Sequence, residues 1–135
     1  MKLSVVIGRF QNSYLHSGHC KVIDAARDNG DILVVLIGKS HLKSTELNPL
    51  TFRQREYMIK HHYPSAVVVG IGNTRTNSEW SERVDTIVGI FAGLEDEVML
   101  YGGRDSFIPS YTGTYDTFEV AEVPIVSGTM LRGRA

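Results

Sequence analysis

Short apolar runs alternate with helical stripes along this chain, and that alternation is the strongest constraint on its fold. Residues 2–8, 31–38 and 65–71 are compact runs rich in β-branched residues, which is typical of buried strands. Apolar residues recur at helical spacing between and after them, most clearly from Trp80 to Phe91. A regular strand–helix order predicts an α/β domain with a parallel sheet and helices on both of its faces.

The ends of the helices carry their own signals. Asn29-Gly30 is a typical helix stop, and Thr51 followed by Gln54 has the spacing of a capping box. Ser78 is a candidate cap for the third helix. We predict helices over residues 17–28, from Thr51 towards Pro64, from Ser78 to Gly93 and from 127 to 132, with further strands over 97–101 and 117–123.

Composition excludes several classes of protein. The chain has 135 residues, of which 42% are hydrophobic and 21% charged, so we expect one folded domain spanning residues 1–135. Its longest apolar runs fall far short of the roughly 18 residues that cross a bilayer, so we expect a cytoplasmic protein with no membrane partner. Cys20 is the sole cysteine, which excludes an internal disulfide and a cysteine-rich zinc site.

Charge is balanced, with 14 Lys and Arg against 15 Asp and Glu. No global positive field marks the chain as a nucleic-acid binder, and we expect no such partner. Any anionic ligand must therefore be held by a local group of residues. In a parallel sheet that place is the carboxyl edge, where helix N-termini point their free N–H groups at a ligand.

Two histidines stand at this edge, after the first predicted strand. His16 and His19 bracket Gly18 on the first turn of a helix, a pattern suited to binding phosphate. A structural pair of surface histidines is one alternative. A metal site with Cys20 is another, but these three ligands have no carboxylate beside them and Cys20 lies about 100° from His19 around a helix. We therefore predict no metal ligands from the chain itself.

The common phosphate-binding motifs are absent. Gly38-Lys39-Ser40 lacks the glycine of a Walker A loop, since Leu33 stands five residues before Gly38. Gly70-Ile71-Gly72 lacks the third glycine of the dinucleotide fingerprint, where Arg75 stands. A different kind of phosphate site is required.

Two motifs at opposite ends of the chain are candidates for this phosphate site. Gly8-Arg9-Phe10-Gln11 with His16-Ser17-Gly18-His19 resembles the first signature of the nucleotidylyltransferase superfamily, and Ser127-Gly128-Thr129 with Arg132 resembles the second. Within that superfamily the start is similar to nicotinamide-mononucleotide adenylyltransferases, including the adenylyltransferase domain of bifunctional Nudix-containing proteins. The likeness extends through Asn48-Pro49-Leu50-Thr51, Arg55, Trp80 and Gly102-Gly103-Arg104-Asp105-Ser106. Four residues separate Gln11 from His16, two more than in the usual relatives.

The resemblance implies a Rossmann-like open parallel sheet of about five strands and a set of site residues. His16, His19 and Arg132 would be catalytic. The residues expected at ATP and its phosphates are Gly8, Arg9, Phe10, Gly18, Gly102, Asp105, Ser127 and Thr129, and those expected at the acceptor are Trp80, Asn48 and Arg55. Mg²⁺ would be held mainly by substrate phosphates and waters. Relatives commonly assemble, so the resemblance leaves a homo-oligomer open, and the sequence does not decide the oligomeric state.

Some of these residues have a plain structural interpretation as well. Trp80 heads the apolar stripe of its helix and is suited equally to the core and to stacking on a positively charged nicotinamide ring. Ser127 and Thr129 are natural helix caps. Tyr111 and Tyr115 flank Gly113 in a polar segment that reads as a flexible surface loop.

The resemblance therefore implies transfer of AMP from ATP to nicotinamide mononucleotide, giving NAD and pyrophosphate. One alternative keeps the fold and changes the acceptor or the base, as in phosphopantetheine adenylyltransferase or the cytidylyltransferases. Another is a nucleotide-sensing module without turnover. Product formation separates the enzymes from the module.

Overall fold

The computed structural model of the chain describes residues 1–8, 17–39, 50–103 and 106–120. Strands and helices alternate along these residues, as the sequence pattern predicts. The elements are β1 (Lys2–Gly8), α1 (Ser17–Asp28), β2 (Ile32–Lys39), α2 (Phe52–His62), β3 (Val67–Gly72), α3 (Asn77–Phe91), β4 (Glu97–Gly102), a 3-10 turn (Ile108–Ser110) and β5 (Asp116–Glu119).

The five strands form one parallel sheet in the order β3-β2-β1-β4-β5. The register pairs Val5 of β1 with Val34 of β2 on one side and with Leu100 of β4 on the other. The predicted Rossmann-like α/β fold is confirmed. The strand order reverses between β1 and β4, which is the switch point where such sheets bind ligands.

Alternate residues of the central strands supply two separate cores. Val6 and Val35 face a core that contains Ile59 and Tyr63 of α2 together with Ile23 and Ala26 of α1. Their neighbours in the strands face a second core, formed with Val84 and Val88 of α3. Since β1 and β2 are buried on both faces, they read in the sequence as continuous apolar runs.

Local signals explain where two of the helices begin. The capping box predicted at Thr51 is present: its side chain accepts a hydrogen bond from the Gln54 N–H, and the Gln54 side chain accepts one from the Thr51 N–H. The cap predicted at Ser78 is wrong, because Thr76 has extended backbone angles and its Oγ1 accepts the Glu79 N–H at 3.1 Å. Ser78 lies inside the first turn of α3.

The strand predicted over residues 117–123 is shorter than expected. β5 covers Asp116–Glu119, and Val120 follows outside the strand while its N–H donates to the Gly102 carbonyl at 2.8 Å. The rest of that prediction and the helix predicted over 127–132 lie outside the described residues. Among the described helices, none is long and apolar enough to cross a membrane.

Candidate functional site

The switch point brings together the ends of β1 and β4 and the start of α1. Gly8 and Gly102 each close one of these two adjacent strands, and α1 packs over both of them. The first turn of α1 carries Gly18 and His19 and contains no acidic residue. An anion placed beyond the strand ends would therefore meet the positive end of a helix without a competing carboxylate from its first turn.

His19 is partly buried on this turn, and its Nδ1 atom is shielded from solvent. A ring held against the protein at one edge loses less conformational freedom when it binds a ligand than a fully exposed ring. His19 is thus suited to act as a fixed hydrogen-bond donor at this edge of the sheet.

Gly102 marks a close approach between β4 and the turn that follows it. A Cβ atom added to Gly102 would overlap the Ser106 hydroxyl and would lie 3.0 Å from Cε1 of Phe107. A side chain at position 102 would therefore press on Ser106 and on Phe107, which packs against the second core. The glycine predicted at the phosphates therefore also has a packing role.

Trp80 lies near the start of α3 and is partly buried against the second core. The centroid of its ring system is 6.0 Å from that of Phe107, with the planes tilted by 53°. Trp80 thus packs on the core, as one interpretation predicts. It also lies on the first turn of α3, at the edge of the sheet where the other interpretation would have it meet a ligand.

Residues 111–115, predicted as a flexible surface loop, form a loop that is hydrogen-bonded to α3. The hydroxyl of Tyr111 donates to Asp85 Oδ1, while the Thr114 N–H donates to Oδ2 of the same carboxylate at 2.9 Å. The Thr112 N–H donates to Ser81 Oγ at 2.9 Å. These contacts join residues at least 26 positions apart, which a local sequence pattern does not reveal.

Arg55 has a buried side chain, only 3% exposed. Its guanidinium donates to the Gly38 carbonyl at 2.6 Å and to the Thr51 carbonyl at 3.3 Å. Arg55 therefore ties the end of β2 to the residue that caps α2.

Two tyrosines have perturbed titration. Burial, helped by the hydrogen bond to Asp85, raises the pKa of Tyr111. Burial also raises the pKa of Tyr63, whose hydroxyl donates to Asp24 at 2.7 Å and which interacts with Cys20. Both phenols stay protonated across the physiological range and act as hydrogen-bond donors.

Of the predicted site residues, the structure places Gly8, Gly18, His19 and Gly102 at the switch point, Trp80 on α3, and Arg55 behind the β2 end. The others lie outside the described residues: Arg9, Phe10, His16, Asn48, Asp105, Ser127, Thr129 and Arg132. Sequence reasoning assigned no role to Ser81, Asp85 or Phe107. Ser81 and Asp85 are four residues apart and therefore share a face of α3, which is the one sequence signal that could have marked these two residues.

Metal ligands are a separate question. Within residues 1–8, 17–39, 50–103 and 106–120, no group of three or more His, Cys, Asp or Glu side chains could hold a metal ion. A divalent cation carried by substrate phosphates requires no such group.

Comparison with known proteins gives a consistent result. Residues 5–132 match the family model described as cytidylyltransferase-like. A nicotinamide-nucleotide adenylyltransferase of Thermoplasma acidophilum is 28% identical over 95 residues, which cover 67% of this chain and 52% of that protein. The chain thus spans about half the length of this curated relative.

The same type of protein appears among solved structures. A bifunctional NMN adenylyltransferase/ADP ribose pyrophosphatase of Francisella tularensis superposes with a TM-score of 0.77 at 24% identity, covering 98% of this chain and 41% of that one. A second structure of that protein, complexed with AMP and a manganese ion, superposes with a TM-score of 0.76 at the same identity and coverage. At this identity the likeness supports the fold.

Proposed function

This chain belongs to the cytidylyltransferase-like family, and from that premise we propose that it transfers AMP from ATP to nicotinamide mononucleotide, giving NAD and pyrophosphate. The observation that carries the proposal is His19 on the first turn of α1, beside the β1 and β4 ends. The adenylyltransferase names of the similar proteins from Thermoplasma and Francisella support the choice of base and acceptor.

The reaction needs little from the protein besides positioning and charge stabilisation. A phosphate oxygen of the acceptor attacks the α-phosphorus of ATP, and the bond from that phosphorus to the bridging oxygen breaks as pyrophosphate leaves. The attacking phosphate is already largely ionised because its second pKa is about 6, so no general base is required. Catalysis then depends on alignment and on donors aimed at the charge that builds on the α-phosphate.

His19 and the N-terminus of α1 would supply those donors on the α-phosphate side. We propose that His16 adds a second imidazole and that Arg132, with Ser127 and Thr129, grips the β- and γ-phosphates, since a guanidinium suits bidentate contact. Arg9, Phe10, Gly8, Gly102 and Asp105 complete the proposed nucleotide side. A divalent cation, Mg²⁺ in our proposal, would shield the phosphates when bound; the described residues supply no cage for it.

Trp80 would hold the acceptor, with Asn48 beside it. Its indole face attracts the positive charge of a nicotinamide ring, and its contact with Phe107 leaves the ring only partly buried. Arg55, which donates to the carbonyls of Gly38 and Thr51, would serve this side by holding the end of β2 to the residue that caps α2.

The description of the family model favours a second candidate function, transfer of CMP from CTP to a phosphorylated acceptor. The deciding experiment incubates the protein with Mg²⁺, with ATP or CTP, and with nicotinamide mononucleotide, phosphopantetheine or small alcohol phosphates, and identifies products by mass. We expect NAD and pyrophosphate from ATP and nicotinamide mononucleotide. A cytidylyl product would establish the second candidate, and nucleotide binding without pyrophosphate release would identify a sensing module.

A further inference from the structure

We propose that Asp85 is a positioning residue that sets the place of the Trp80 ring through Tyr111 and Phe107, and that it thereby controls affinity for the acceptor. The proposal rests on the proposed function, because Trp80 contacts an acceptor only if the chain has that activity. Asp85 itself would touch neither substrate.

Three partly buried aromatic rings form a continuous row that begins at Trp80, on the first turn of α3. Trp80 contacts Phe107 with 6.0 Å between centroids, and Phe107 contacts Tyr111 edge to face with 6.3 Å between centroids and 78° between planes. All three pack on the second core beneath α3. Rings packed in this way restrict each other's orientation, so we expect a movement of Tyr111 to displace Phe107 and, through it, Trp80.

Asp85 fixes the inner end of this row. One carboxylate oxygen accepts the Tyr111 hydroxyl, and the other accepts the Thr114 N–H at 2.9 Å. The Tyr111 oxygen in turn accepts the Tyr115 N–H at 3.0 Å. Hydrogen bonds to an ionised acceptor are the stronger kind, and here two of them meet at one side chain.

Asp85 and Trp80 also share α3, five residues apart. The helix therefore holds the row at both ends, at Trp80 by its own backbone and at Tyr111 through Asp85. Ser81 adds a further attachment between these two positions, since its Oγ accepts the Thr112 N–H.

The backbone of residues 111–115 approaches Asp85 closely at Gly113. A Cβ atom added to Gly113 would lie 2.6 Å from Asp85 Oδ1 and would overlap the hydroxyl of Tyr111. The backbone thus comes as close to the carboxylate as a glycine permits.

The test begins with Asp85→Asn, which keeps the shape of the side chain but loses its charge. An amide oxygen can still accept from Tyr111, but the amide NH₂ would then face the Thr114 N–H, donor against donor. The matched control is Glu82→Gln, the same acid-to-amide change at an exposed position of the same helix.

The first measurement requires no activity. Trp80 is the only tryptophan of the chain, so intrinsic fluorescence reports on this ring alone. We expect Asp85→Asn to shift the emission of Trp80 to longer wavelength and to increase its quenching by acrylamide, while Glu82→Gln leaves both unchanged. Unchanged emission and quenching in a folded Asp85→Asn protein would overturn the proposal.

The second measurement separates positioning from a general loss of structure. We expect Asp85→Asn to raise the KM for nicotinamide mononucleotide by about tenfold, the size of effect that a lost charged hydrogen bond gives when part of it reaches a neighbouring site. The KM for ATP and kcat should stay within about twofold. A fall in kcat with both KM values unchanged, or an equal rise of both, would contradict the proposal.

Tyr111→Phe covers the case in which Asp85→Asn does not fold. It removes only the hydroxyl, keeps the ring against Phe107, and should move Trp80 fluorescence and the acceptor KM in the same direction. Should the wild-type protein form no NAD, the proposed function fails, whereas the fluorescence comparison still decides whether Asp85 positions Trp80.

Discussion

Under the proposed function, single residues at the switch point would contribute both to packing and to chemistry. His19 lies on the first turn of α1 with one ring nitrogen shielded from solvent, and Gly102 allows the turn that carries Phe107 to approach β4. Arg55 also has a structural role, because its guanidinium donates hydrogen bonds to two backbone carbonyls. Substitutions here change geometry as well as chemistry, so each prediction needs a control for folding.

Replacement of His19 by alanine tests the proposed chemistry most directly. We expect kcat for NAD formation to fall by roughly 10²- to 10³-fold, the usual loss for one preorganised donor at a developing charge. Steady-state kinetics with both substrates measures it, and circular dichroism checks that α1 is intact. His61→Ala, at an exposed position of α2, is the control and should keep the wild-type rate. A near-normal rate for His19→Ala would remove the proposed role.

The buried tyrosines predict a loss of stability in alkali. The folded-state pKa values of Tyr63 and Tyr111 are raised above the ordinary value of 10.0, so their stabilisation is complete below about pH 10 and is lost as the pH rises above it. We expect the free energy of unfolding to fall steeply above about pH 10. Denaturant titration at a series of pH values measures it. Tyr63→Phe or Tyr111→Phe should make that fall shallower.

Tyr57→Phe is the control for this series. Tyr57 is 72% exposed, and its removal should leave the alkaline slope as in the wild-type protein. Equal slopes in all four proteins would show that the buried phenols do not set the pH dependence.

At the scale of elements, the sequence predicts what is decided locally. The apolar runs give β1 its exact bounds, and the capping box gives the start of α2, because each signal lies within a few residues of the feature it controls. The cap of α3 was misplaced by two residues, since Thr76 and Ser78 are both suitable hydroxyls and only the backbone angles choose between them. The attachment of residues 111–115 to α3 was missed because it depends on contacts such as Tyr111 to Asp85, far apart in the chain.

The end of β4 offers a sharp test of how tightly an element is packed. Gly102→Ala should lower the free energy of unfolding by about 1–3 kcal/mol, because the new Cβ overlaps the Ser106 hydroxyl and presses on Phe107. Chemical denaturation measures the change. Through Phe107 the same substitution should shift Trp80 fluorescence.

The chain provides a matched control in Gly89 of α3. A Cβ there would meet only the Tyr115 hydroxyl, at an ordinary 4.0 Å, and glycine is a poor helix former. Gly89→Ala should therefore raise the free energy of unfolding by about 0.4–1 kcal/mol. Equal effects of the two substitutions would mean that backbone propensity, and not packing at β4, governs both.

At the scale of the whole molecule, two cores share one sheet. The same strands contribute alternate side chains to the α1/α2 face and to the α3 face, so neither core keeps its shape if the strands separate. The fold was predictable because buried parallel strands and amphipathic helices leave few other arrangements. Much of the proposed site lies outside the described residues and stays a prediction from the sequence, made as a list of residues.

This shared sheet predicts that both faces unfold together. Ile59 is fully buried in the α1/α2 core, whereas Trp80 lies on the α3 side, so the two report on opposite faces. Ile59→Val should lower the free energy of unfolding by about 0.5–1.5 kcal/mol, and it should move the denaturation midpoint seen by Trp80 fluorescence as far as the one seen by circular dichroism. If the midpoint from circular dichroism fell while that of Trp80 stayed in place, the faces would be separate units of folding, and a ligand bound on one face would not stabilise the other.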